Sequence, residues 1–82
     1  MIVVSFKTKR KQEEILDRAV KYFRDEVGLK IKERGSCCVY FGDENQIGYV
    51  NVTLTEKGDK FEVDVESREY EYQAKEFVRE FK

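Results

Sequence analysis

Residues 47–66 read I-G-Y-V-N-V-T-L-T-E-K-G-D-K-F-E-V-D-V-E, and the fold turns on them. Gly48, Val50, Val52 and Leu54 alternate with Tyr49, Asn51, Thr53 and Thr55. After the turn signal Glu56-Lys57-Gly58-Asp59, Phe61, Val63 and Val65 alternate with Glu62, Asp64 and Glu66. Successive strand residues point to opposite faces, so each run has one apolar and one polar face. Two such runs joined by a short turn predict an antiparallel hairpin in a sheet that is buried on one side only.

Reading outward toward the N-terminus, Gly42-Asp43-Glu44-Asn45 is a loop signal. Residues 37–41 read as a short strand, apolar on both faces. Residues 29–33 alternate and are extended; whether they pair as a strand is left open, and Arg34-Gly35 is a turn signal. Residues 9–27 predict a helix: Ile15, Leu16, Ala19, Val20, Phe23 and Val27 form one stripe at the 3.6-residue period. Thr8 is its expected N-cap, and Gly28 stands where a left-handed residue ends a helix, with Leu29 to make the contact that follows. Glu14–Arg18 and Asp17–Lys21 are expected i,i+4 pairs. Residues 2–6 read as a strand with Ile2, Val4 and Phe6 on one face and Val3 and Ser5 on the other. Beyond the hairpin, Ser67 is an expected N-cap, and Tyr70, Ala74, Phe77, Val78 and Phe81 keep helical spacing to the end.

The expected order is β-α-β-β-β(-β)-α in one α+β domain, residues 1–82. Consecutive strands with short loops imply an antiparallel meander, a single curved sheet with both helices packed on one face. This order resembles the helix-grip, or TATA-binding-protein-like, architecture over the whole chain, in element order alone. The resemblance implies a sheet wrapped on the C-terminal helix. It implies no particular function, since that architecture serves nucleic-acid binders, lipid carriers and uncharacterised small proteins.

Composition bounds the function. The 82 residues are 40% hydrophobic, enough for one modest core without metal or disulfides, and no cofactor is expected. No apolar run approaches the roughly 18 residues that span a bilayer. The apolar N-terminus is too short for a signal peptide, so a cytoplasmic protein without membrane partners is expected. Charged residues are 40% of the chain at a net charge of −1, which suits a thermophile's ion-pair networks; the absence of Pro argues mildly against that origin. Residues 1–34 hold ten basic and six acidic side chains, net +4, whereas residues 35–82 hold six and eleven, net −5. That division favours self-association, unless folding interleaves the two halves.

Four constellations are candidates for chemistry. Lys7, Lys9, Arg10 and Lys11 flank the expected start of the first helix, where the dipole prefers negative charge, and such a break of a local rule marks a candidate anion site. Against it, Glu13 and Glu14 neutralise the turn, and no Gly-rich loop accompanies it. The polar sheet face carries Tyr40, Tyr49, Asn51, Thr53, Glu62, Asp64 and Glu66. Its aromatics would stack bases, but its carboxylates repel a phosphate backbone, so nucleic acid ranks low as a partner. Alternate carboxylates nearly 7 Å apart make a poor hard-cation site.

Cys37 and Cys38 are neighbours, with one thiol expected toward the core and the other outward. A disulfide between them is geometrically poor, and the chain has no His to activate a thiol. The expected role of both is structural. The C-terminal helix is rich in aromatics. Core packing is the favoured reading of these rings; Tyr72, Phe77 and Phe81 are also a candidate interaction surface, and a small apolar ligand between that helix and the sheet is a further alternative, disfavoured because so short a chain must fill that volume. With no His and no nucleophile elbow, P-loop, zinc motif or dinucleotide fingerprint, catalysis is not expected. The leading expectation is a non-catalytic interaction module whose partner is another protein or a second copy, with anion or nucleic-acid binding as the alternative.

Overall fold

In the computed structural model, which describes residues 2–45 and 47–81, the chain runs β1 (Ile2–Thr8), α1 (Gln12–Val20) and a π-helical segment (Lys21–Glu26). β2 (Lys30–Arg34), β3 (Cys38–Gly42), β4 (Tyr49–Lys57), β5 (Lys60–Arg68) and α2 (Glu71–Phe81) follow. The five strands form one antiparallel sheet in the order β1-β5-β4-β3-β2. Residues 29–33 therefore do contribute a paired strand. The meander β2 to β5 follows from the short turns. α1 carries the chain from one sheet edge to the other, so β1 closes against β5 rather than β2.

Register joins the apolar faces into one surface. Phe6 and Val4 lie opposite Val63 and Val65, these opposite Leu54 and Val52, and Val52 and Val50 opposite Val39 and Phe41. α2 packs on β1 and β5, and α1 on β3 and β4. Both cover this same face: Phe81 meets Phe6 at 5.1 Å between ring centroids, and Phe23 meets Phe41 at 5.3 Å and Phe77 at 5.2 Å. These rings fill the space between α2 and the sheet that the alternative reading gives to a small apolar ligand. The charge halves interleave as well: Lys9 pairs with Asp59 and Lys30 with Glu44. Such exposed pairs contribute at most about 1 kcal/mol each, so burial of the apolar face holds the fold.

Several local expectations are corrected. Thr8 does not cap α1. It stays in β1 opposite Phe61, and its Oγ1 accepts the Arg10 N–H at 3.2 Å. The helix starts at Gln12 instead, with Lys11 as an N-cap that makes no side-chain hydrogen bond. Its last turn widens: the Val27 N–H reaches the Tyr22 carbonyl at 3.0 Å, five residues back, and the Leu29 N–H reaches Phe23 at 2.9 Å. The wide turn directs both Tyr22 and Phe23 inward before Gly28, at φ +93°, ends the helix. Glu14 pairs with Arg10, and Asp17 with Arg34 at 3.0 Å, in place of the expected helical pairs.

Ser67 does not cap α2. β5 runs on to Arg68, which leaves Ser67 wholly buried on the core face, opposite Ile2 and Val50. The turn into α2 is made by Glu69 at φ +71°. The Ala74 N–H then bonds the Tyr70 carbonyl at 2.9 Å, so the helix opens at Tyr70.

Candidate functional site

The four cations near the first helix do not converge. Lys7 lies on the uncovered side of β1, opposite Glu62. Lys9 Nζ is 3.9 Å from Asp59 in the β4–β5 turn. Arg10 pairs with Glu14 and lies 5.4 Å from the centre of the Phe81 ring. Lys11 shares a shallow hollow with Glu13, Glu14 and Asp17. The late helix start is the reason: Lys9, Arg10 and Lys11 fall in the bend between β1 and α1 rather than on one helical turn, and each finds a different neighbour.

The proposed aromatic surface on α2 is corrected too. Phe77 and Phe81 are only 3% and 6% exposed, because they fall on the stripe with Ala74 and Val78 that faces the core. Tyr72, on the opposite side, is 69% exposed and is the one member of that trio open to a partner.

The sheet face turned away from the helices is the larger open surface. The register sets Val3, Glu66, Asn51 and Tyr40 in one row across β1, β5, β4 and β3, and Ser5, Asp64, Thr53 and Cys38 in the next. Val3 is 58% exposed and Tyr40 37%. Two polar pairs on this face are bonded. Ser5 Oγ donates to Asp64 at 2.5 Å, and Tyr49 Oη donates to Glu66 at 2.7 Å. The bond to Glu66 first, and then partial burial, push the Tyr49 phenol above its ordinary value. The Tyr49 ring lies 5.8 Å from that of Tyr40. Beside Tyr40 a hollow of about 500 Å³ is lined by Glu33, Arg34, Gly35, Cys38 and Asn51.

Two features here escaped the sequence reading. Val3 belongs to this face because β1 lies next to β5, a long-range pairing that no local pattern reveals. Asp43 organises one end of the sheet: its carboxylate accepts the Ile47 and Gly48 N–H groups at 3.0 and 3.1 Å and the Tyr70 hydroxyl at 3.3 Å. An Asp followed closely by Gly in a hairpin loop was the available signal, but its tyrosine partner lies 27 residues away.

The cysteines also depart from expectation. β3 begins at Cys38, so Cys37 precedes the strand and strand alternation does not apply to the pair. Both sulfurs lie outside the core, 3.0 Å apart, with Cys37 exposed and Cys38 half-buried. Among the described residues, no three His, Cys, Asp or Glu side chains gather as a metal-binding group. Nor is any described helix long and apolar enough to cross a membrane.

The sequence matches no family model and no curated protein. Any functional reading therefore rests on the chemistry of these surfaces.

Proposed function

We propose that the protein is a non-catalytic interaction module of the cytoplasm that associates with a second copy of itself through the open face of its sheet. One observation carries this reading: Val3 and Tyr40 are exposed on a face where the Ser5 hydroxyl is bonded to Asp64 and the Tyr49 hydroxyl to Glu66. A hydroxyl that keeps its hydrogen bond is cheap to remove from water, whereas an unpaired one costs a few kcal/mol; a carboxylate costs more, so Asp64 and Glu66 keep bridging water at such a seam. The Ser5 and Tyr49 hydroxyls can therefore be covered without being orphaned. Size is adequate. At about 4.8 Å between strands and 3.3 Å per residue the sheet presents roughly 550 Å² in plane, and side chains standing off that plane raise it toward the roughly 800 Å² per partner of a standard interface.

A two-fold arrangement is the commonest way for one patch to cover itself. The divergence of Lys7, Lys9, Arg10 and Lys11 ranks anion binding below this reading. Two free thiols suit a reducing compartment. Light scattering behind size exclusion tests the proposal: the wild type gives a dimer mass at high concentration, and Tyr40→Lys gives a monomer with an unchanged circular dichroism spectrum. A wild type that stays monomeric at millimolar concentration overturns the proposal, as does a Tyr40→Lys that still dimerises.

A further inference from the structure

The geometry points to Cys37 and Cys38 as a bidentate dithiol site for a trivalent arsenical, with the hollow beside Tyr40 receiving the arsenical's remaining substituent. Two sulfurs 3.0 Å apart, both outside the core, with Cys37 exposed and Cys38 half-buried, are placed to hold one soft atom between them.

The alternatives fit less well. A direct disulfide is strained, since the trans peptide joining the two residues fixes their Cα atoms about 3.8 Å apart, below the 4.4–6.8 Å that disulfides use. An inserted atom lengthens the link and removes that strain. A linear two-coordinate ion wants its sulfurs on opposite sides, whereas these lie side by side. Structural zinc wants four ligands, and the described residues gather no group of even three. Trivalent arsenic is pyramidal and takes two sulfurs on the same side. Thiolate catalysis is disfavoured as well: the hydrogen bond with Cys37 first, then burial and the neighbouring charges of Cys37 and Glu33, push the Cys38 thiol up, so it stays protonated at neutral pH.

The chemistry balances without an oxidant. Arsenous acid exchanges two As–O bonds for two As–S bonds. Each thiol proton leaves with a hydroxide as water, the third oxygen stays, and arsenic remains trivalent. The neighbouring hollow, about 500 Å³ and lined by Tyr40, Asn51, Arg34 and Glu33, has room for an aryl group in place of that oxygen.

The test uses the whole reduced protein at a dilution where the sheet face is uncovered, and phenylarsine oxide, which loses its one oxygen as water on capture by two thiols. Intact-mass spectrometry is run in a large excess of a monothiol, which strips arsenic from a single cysteine but not from a chelating pair. The wild type should carry one adduct per chain, released by a small dithiol, and its amide NMR shifts should stay within residues 33–40 and 51. Cys37→Ser and Cys38→Ser should each lose the adduct with the fold intact by circular dichroism; Cys38→Ala is the second variant if the serine disturbs β3. A wild type with no adduct under monothiol competition, or a single variant that keeps it, overturns the assignment.

Discussion

A methyl group at position 48 would stand 2.5 Å from the Tyr70 ring, 2.9 Å from the Arg68 carbonyl oxygen and 3.0 Å from Glu69 Cβ. Real carbons do not approach so closely, and two of these three obstacles belong to the turn into α2. Gly48→Ala should therefore lower stability by about 2 kcal/mol in urea unfolding, as overpacking does. Gly35→Ala, which meets no atom within 4 Å, should change it little and serves as the control. Ser67 makes the opposite case. Its buried Oγ has no partner among the described residues, so Ser67→Ala should raise stability by about 1 kcal/mol. A loss on that substitution would show that the hydroxyl is bonded after all.

The tyrosines give a pH dependence at the same scale. Burial, followed by the charge of Asp43 and the bond to it, raises the Tyr70 phenol; burial and then Glu80, Glu76 and Glu26 raise Tyr22. A phenol whose pKa is higher folded than unfolded contributes stability that is complete below the unfolded value, about 10, and is lost as pH rises through the folded one. The raised Cys38 thiol adds a loss of the same sign that begins at about pH 9, so stability should fall from about pH 9 upward, with Tyr70→Phe flattening the part of the fall above about 10. Ultraviolet titration of the phenols alongside thermal melts checks both.

Among the elements, the π-helical segment Lys21–Glu26 links the two layers. Its wide turn sets Phe23 between Phe41 on β3 and Phe77 on α2. Phe23→Ala should cost about 4 kcal/mol, a large part of a small domain's stability, and should bring loss of cooperativity in thermal unfolding. What could be read from sequence divides along the same line. Strict alternation in β4 and β5, and the 3.6-residue stripes of the helices, are imposed by burial and stand in the chain itself. Boundaries were missed where a distant strand decides them. Thr8 and Ser67 look like caps, but Phe61 and Ile2 opposite them extend β1 and β5 through those positions. The widening after Val20 left no mark, since Phe23 and Val27 suit an α-helix equally well. The site is less legible than the fold: how far Phe77 and Phe81 are buried, and that Val3 lies beside Glu66, both depend on which elements meet.

For the molecule as a whole, the decisive property is that both helices cover one side of the sheet and leave the other bare. The first 34 residues supply both sheet edges and the last 48 the centre and α2, so the charge division in the sequence becomes contacts within one chain, such as Lys9–Asp59. The proposed self-association then rests on the bare face, through its exposed Val3 and Tyr40. It should respond weakly to salt, in contrast to an assembly driven by opposite charges. The most direct test is a dilution series of amide and methyl NMR spectra, from dilute to millimolar protein. Concentration-dependent shifts at Val3, Ser5, Tyr40, Tyr49, Asn51 and Glu66, with the helices unmoved, are the expected result. Shifts centred on Tyr72 and α2, or none at any concentration, would contradict the assignment of the bare face as the interface.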